Sequence, residues 1–351
     1  MNTPPPAFEW DELFHRPDHH LLEFSGPQAL FVPMTRESYA RSIFTDRQRI
    51  VPAHPSGRGV DLNRLLERFD AEAIPARPLR FVFHLAHGGS TLLSRALDCP
   101  GRSLVIREPF PLRQLAGERL SAVPGTMDMA LWEKRLRLVT ALLGRRYRDS
   151  EPVVVKANVP VNFILPQLLA LQEDSRSLLL YSGLQPYLVS VLKGPDHRRW
   201  VSNVIRQLEG GVRSIEALSA VRVAELSAPE AAACLWLAQM YQYARLLETH
   251  AGVKSLDSDR FFDRPLESLR AAVEFYGLEL SQAELEGIVA GELFTRHAKL
   301  PGQRYDNAVR KADMERHTRE NRQDIEAGLR WAEKFLPGLD LPGVLPNALV
   351  S

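Results

Sequence analysis

The segment FVFHLAHGGSTLL, residues 81–93, carries the clearest chemical signal in the chain. An apolar run of strand type enters a tight turn with the paired glycines Gly88 and Gly89, and Ser90-Thr91 then opens a helix. Such a junction turns backbone N–H groups, hydroxyls and the positive end of the helix toward an anion, typically a phosphate. The competing reading is an ordinary strand–turn–helix junction with Ser90 as its N-cap. A Walker-type loop needs Gly-Lys-Ser/Thr, but Ser90 holds the lysine slot and the leading glycine is missing. Ser90 also lacks the Gly-x-Ser-x-Gly surroundings of a nucleophile elbow. Cys99 and Cys234 sit in apolar surroundings without an evident His/Asp partner, which argues against a catalytic thiol. His84 faces either the sheet or the crevice, with a satisfied core histidine as the leading reading, and His15, His19 and His20 read as residents of a polar loop rather than metal ligands.

A loop of this kind works at the carboxyl end of a strand within a parallel sheet. Residues 79–85, 103–106, 152–155 and 176–181 are short apolar runs of strand type, and a further strand is predicted at 252–256. Helical stretches at 129–143 and 162–171 separate them, and 228–249 is the longest predicted helix. Buried strands alternating with helices predict an α/β fold, three layers deep, with a mainly parallel central sheet flanked by helices. Ahead of it, 21–33 reads as two short strands about Ser25-Gly26-Pro27, with short helices at 34–45 and 61–71. The charged stretch 304–330 reads as a solvated helix, with a lid over a bound nucleotide as the alternative.

Composition bounds the function. The 351 residues include 44 Lys+Arg and 43 Asp+Glu, a net charge of +1, which excludes a basic nucleic-acid coat. Two cysteines exclude a disulfide framework and a four-cysteine zinc site, and no metal site is expected. No apolar run approaches the roughly 18 residues of a membrane span, and the N-terminus lacks the pattern of a signal peptide. The expectation is a soluble protein of cytoplasmic type without membrane insertion.

Ala86-His87-Gly88-Gly89-Ser90-Thr91-Leu92-Leu93 resembles the phosphosulfate loop of the sulfotransferase family, commonly written P-[RK]-S-G-T-T-L-L. Other segments follow the family's order. Arg107-Glu108-Pro109 is similar to the acid-bearing segment of the tyrosyl-protein branch, and Val155-Lys156-Ala157-Asn158 to the lysine-bearing third strand. Ser182-Gly183-Leu184-Gln185-Pro186, with Ser190, resembles the segment that grips the nucleotide 3′-phosphate. Lys254-Ser255-Leu256-Asp257 and Phe275-Tyr276-Gly277-Leu278 resemble the late strand and helix. The resemblance implies a P-loop-type domain over 76–337, between an N-terminal extension (1–75) and a C-terminal tail (338–351).

It further implies PAPS (3′-phosphoadenosine 5′-phosphosulfate) as donor and in-line transfer to a hydroxyl of a small molecule, peptide or glycan. In that scheme Glu108 is the base, and Lys156, with His87 assisting, stabilises the bridging oxygen. Gly88, Gly89, Ser90 and Thr91 hold the phosphosulfate, and Ser182 and Ser190 contact the nucleotide. Two departures stand out: His87 replaces the loop's Arg/Lys, and Ser182 replaces an Arg. A hydroxyl does not substitute for a bidentate guanidinium. Lys193, Arg198, Arg199, Arg304 and Arg310 are the candidates to compensate. The alternatives are a P-loop nucleotide-dependent kinase and a non-catalytic nucleotide-binding relative.

Overall fold

The computed structural model describes residues 10–74, 77–123, 125–172 and 174–350, so the first nine residues of the N-terminal extension and its boundary at 75–76 lie outside the description. Strands β1 (His19–Ser25), β2 (Gln28–Pro33) and β3 (Arg58–Asp61) form a small antiparallel sheet. The turn at Ser25-Gly26-Pro27 closes its hairpin, as the sequence predicts. β3 was not predicted, because Arg58-Gly59-Val60-Asp61 has no apolar alternation.

The central sheet contains β4 (Arg80–His84), β5 (Leu104–Arg107), β6 (Val153–Lys156), β7 (Arg176–Tyr181) and β8 (Val253–Asp257). Its order is β5-β6-β4-β7-β8, with every neighbouring pair parallel. Successive strand residues point to opposite faces. Phe81, Phe83, Val153 and Val155 enter one core, while Val82 and Val154 enter the other. Both faces are therefore buried, which is why these strands read as continuous apolar runs. The first core takes the helices Met129–Leu143, Leu184–Leu192 and Ala228–Thr249, and the second takes Ser90–Ala96 and Pro265–Tyr276. This is the three-layer α/β arrangement expected.

The N-terminal sheet contributes Leu21, Phe24 and Phe31 to the first core. At the opposite edge, 347–349 runs beside β8: the Leu349 N–H donates to the Ser255 carbonyl (2.7 Å), and Ser255 N–H to Asn347 (3.1 Å). The tail thus covers an otherwise open strand edge.

Three elements differ from expectation. Instead of one helix over 162–171, a 3-10 turn (Val159–Phe163) precedes a helix (Leu165–Ala170), because Pro166 cannot donate a helical hydrogen bond. The charged stretch forms two helices, Asn307–Glu320 and Arg322–Glu333, broken at Asn321. Between Arg296 and Arg304 lies an unpredicted hairpin, β9 (Arg296–His297) and β10 (Leu300–Arg304). Among the described residues no helix is long and apolar enough to cross a membrane.

Arg107 ties the central sheet to the helix Arg36–Arg41. Its buried guanidinium donates to Asp98 (2.9 Å) and to the carbonyls of Ala40 (3.0 Å) and Ser42 (2.8 Å), so the last residue of β5 is fastened to the N-terminal segment. Removing one partner of a buried pair leaves the other desolvated and unpaired. Arg107→Met is expected to lower stability by about 3 kcal/mol. A guanidinium titration measures this; a loss below about 1 kcal/mol would show that the clamp contributes little.

Candidate active site

The carboxyl ends of β4, β5, β6 and β7 meet beside the loop 85–89, where strand order switches direction around β4. Crevices at such switch points are where open parallel sheets bind ligands. The loop takes an unusual path. Ala86, His87 and Gly89 have φ of 82°, 53° and 87°, in the left-handed region that side-chain-bearing residues avoid. Glycine is required at the last of these positions: a Cβ on Gly89 would lie 2.8 Å from the Phe262 ring. Ser258 holds the loop from below by donating to the Gly88 carbonyl (2.9 Å). Among the described residues, nothing accepts from the N–H groups of Gly88 and Gly89, which line a cavity of about 500 Å³.

Glu108 and Lys156 come together through strand register. Arg107 pairs with Lys156 across β5 and β6, and the Glu108 N–H donates to the Lys156 carbonyl (2.6 Å), one step past the strand. Glu108 then turns with φ 54°, another left-handed residue. Its carboxylate accepts from the Lys156 ammonium and from Asn158 Nδ2 (3.3 Å). Lys156 is 1% exposed and lies 4.7 Å from the centre of the Phe44 ring. Burial pushes it down to about 8, with Glu108 opposing the shift.

His84 is 6% exposed, yet it lines the crevice rather than the core proper. Its Nδ1 accepts from the Ala86 N–H (3.0 Å). Burial and the charges of Lys156 and Lys299 hold the ring well below its ordinary pKa. The neutral tautomer therefore carries its proton on Nε2, a buried donor without a hydrogen-bond partner, 3.8 Å from Glu108 Oε1.

Two cavities meet here. The smaller, about 300 Å³, contains His84, Glu108, Lys156 and Asn158, with Phe44 and Trp200 in its walls. The larger is bounded by Gly88, Gly89, Ser182, Ser190 and Lys193. Ser90, Thr91, His87, His197 and Lys299 line both. The structure thus gathers the sequence's candidates along one crevice: Glu108 and Lys156 in one chamber, Ser182 and Ser190 in the other, and His87, Ser90 and Thr91 between them. His87 packs on His197 (4.8 Å between ring centres) and Trp200 (5.3 Å). Burial, reinforced by the Lys299 charge, keeps its imidazole neutral at neutral pH, so it offers a hydrogen bond rather than a charge.

The compensating cations divide sharply. Arg198 is engaged with Asp324 and Asn321, Arg199 with Asp196, and Arg304 with Asp306. Lys193 and Arg310 line the larger cavity, Arg310 while paired to Asp259 (2.9 Å). Asn307, Asp313 and His317 join them there, so the first charged helix forms a cavity wall rather than a solvated face alone. Sequence reasoning missed His197 and Lys299, gave Asn158 no role, and favoured the core over the crevice for His84. Among the described residues no three His, Cys, Asp or Glu side chains are grouped to hold a metal ion.

No protein-family model matches the chain, and no curated protein matches it in sequence. Similar solved structures include the sulfotransferase domain from the curacin biosynthetic pathway, 13% identical, covering 70% of this chain and 98% of that one, with a TM-score of 0.42. A sulfotransferase from Alicyclobacillus acidocaldarius is 15% identical over 76% of this chain and 100% of that one, with a TM-score of 0.35. Sulfotransferase STF9 from Mycobacterium avium is 11% identical over 80% and 81%, with a TM-score of 0.41. Likeness at this level assigns no residue a role, and the chemistry rests on the side chains described above.

The Lys156 proton is lost near pH 8 in the folded chain, but only near the ordinary value of about 10.4 in the unfolded chain. Between these values the unfolded state holds more protons, so the residue's contribution to stability rises with pH. From about pH 7.5 to about pH 10 the urea midpoint of the wild type is expected to gain on that of Lys156→Met. A constant gap between the two midpoints would contradict a depressed lysine.

Proposed function

We propose that this protein is a sulfotransferase that moves a sulfuryl group from PAPS to a hydroxyl of a small acceptor. The observation that carries the reading is the Glu108–Lys156 pair, with the unpartnered His84 Nε2, in the chamber that adjoins the loop 85–89. A general base must reach the acceptor proton, and a cation must stand where charge builds on the oxygen being released.

The larger cavity suits a phosphorylated nucleoside. It combines the free amides of Gly88 and Gly89, the hydroxyls of Ser90, Thr91, Ser182 and Ser190, and the ammonium of Lys193 with the flat rings of Phe294 and Tyr305. In this reading Gly88–Thr91 hold the phosphosulfate, and Ser182, Ser190 and Lys193 contact the nucleotide. PAPS, when bound, supplies sulfur that forms a bond to the acceptor oxygen as its bond to the bridging phosphate oxygen breaks and takes the electron pair to that phosphate. Glu108 takes the acceptor's proton. Lys156 stabilises negative charge on the bridging oxygen, and neutral His87 and His84 donate hydrogen bonds without adding to the crowding of cations. The smaller chamber, about 300 Å³, is at the low end for ligand cavities and favours a small acceptor.

Isothermal titration of the wild type with adenosine 3′,5′-bisphosphate in magnesium-free buffer is expected to show binding, and Lys193→Ala to weaken it about tenfold. With PAPS and a panel of phenols and alcohols, Glu108→Gln is expected to lower kcat by about 10²–10⁴-fold while leaving bisphosphate affinity within about threefold. Binding of ATP only with magnesium, and not of the bisphosphate, would replace this reading with phosphoryl transfer. Binding of the bisphosphate without turnover on any acceptor would favour a nucleotide-binding protein.

A further inference from the structure

The position that usually carries a cation in such a loop is held by neutral His87, yet the crevice is not short of positive charge. Lys299 sits in the turn between β9 and β10 and is one of the side chains that line both cavities. Among the described residues its ammonium has no ion-pair or hydrogen-bond partner; its recorded neighbour is the Phe44 ring, 5.6 Å from Nζ. The same ring lies 4.7 Å from Lys156 Nζ, so two ammonium groups far apart in the sequence approach one aromatic ring. The Lys299 charge bears on Lys156, His84, His87, His197 and His297 together, which places it at the centre of the cluster. Glu108 is the carboxylate that acts on it, and Glu108 is already engaged by Lys156.

The hairpin holds this lysine by specific bonds. His297 Nδ1 accepts from the N–H groups of Lys299 (3.2 Å) and Leu300 (3.1 Å), which shapes the turn. Arg95, on the helix that follows the anion loop, donates to the Ala298 carbonyl (2.8 Å) and ties the turn to that helix. Tyr305 N–H donates to the Thr295 carbonyl (2.9 Å) and closes the base of the hairpin. A half-buried cation held between two chambers, with an aromatic ring and a carboxylate already engaged by Lys156 to offset its loss of water, is a site for an anion.

We infer that Lys299 supplies the cation missing from the loop, and that the β9–β10 hairpin places it against the transferring sulfuryl group at the boundary of the two cavities. Lys156 and Lys299 then flank the group, one from the sheet and one from the hairpin. The inference rests on the sulfotransferase reading and assigns the hairpin to the reacting group rather than to the nucleotide.

The test compares two ligands that differ by the sulfuryl group. PAPS and adenosine 3′,5′-bisphosphate are each titrated into the wild type, Lys299→Met and Lys299→Arg, without acceptor. Circular dichroism and the thermal midpoint establish that each variant folds. Lys299→Met is expected to lose about tenfold or more in PAPS affinity and less than about threefold in bisphosphate affinity, with Lys299→Arg recovering most of the loss. Equal losses for both ligands would assign Lys299 to the nucleotide or to hairpin folding and overturn the inference. No loss for either would overturn it too, and in both cases a wild type that binds the bisphosphate leaves the sulfotransferase reading standing. A wild type that binds neither ligand ends the reading and the inference together.

Discussion

A lysine buried as deeply as Lys156 keeps its charge only if anions stand close by, because desolvation of an ammonium is costly. Glu108 is the anion provided, and the crevice is arranged so that it cannot drift away. Its N–H extends the ladder of β5 and β6 by one bond, while the preceding residue, Arg107, is fixed by Asp98 and the carbonyls of the N-terminal segment. A left-handed conformation at a glutamate is unfavourable and persists where its surroundings determine it on both sides. The N-terminal helix Arg36–Arg41 therefore contributes to the site without lining it: the carbonyls of Ala40 and of Ser42, just past its end, anchor the arginine that precedes the carboxylate.

The histidines follow from the same charge balance. His84, His87, His197 and His297 are all held below the ordinary imidazole value, by burial first and by the lysines second. A protonated imidazole among Lys156, Lys193 and Lys299 would add repulsion to a cluster in which burial already opposes charge. A neutral one still donates through whichever nitrogen carries the proton, and at His84 the Ala86 amide decides which. Taking lysines and arginines together, the crevice walls carry more cationic than carboxylate side chains, and neutral rings that donate. Both features favour a ligand that brings negative charge with it.

How much of this was legible depended on whether a residue's neighbours in space were also its neighbours in sequence. The strands could be read because burial on both faces leaves short apolar runs such as Val153–Lys156 and Arg176–Tyr181, bounded by polar turns. The anion loop could be read because its paired glycines, strand and helix are contiguous. Glu108 and Lys156 were identifiable as strand-end residues, but their pairing follows from β6 lying between β5 and β4, which local sequence does not state. For His84 the sequence left the sheet and the crevice both open and favoured the core, because apolar residues precede it; its place as the last residue of β4, two before Ala86, puts it in the crevice. Lys299 left no clue, since Arg-His-Ala-Lys-Leu-Pro-Gly-Gln-Arg has neither β-branched residues nor alternation to announce a hairpin.

That last failure has a physical meaning. A loop with its own lysine carries its anion-binding charge on contiguous chain, whereas here the backbone amides come from 88–89 and the charges from residues scattered between Glu108 and Lys299. The site is consequently a property of the assembled sheet, helices and hairpin together. The Arg95–Ala298 bond makes this concrete, because it couples the helix leaving the anion loop to the turn that carries the unpaired lysine. A displacement of that helix would carry the turn with it and change the charge between the two chambers, while the backbone cradle itself stayed the same. Geometry at the cradle and charge at the boundary are thus set by different parts of the chain, and a ligand that needs both must find the fold complete.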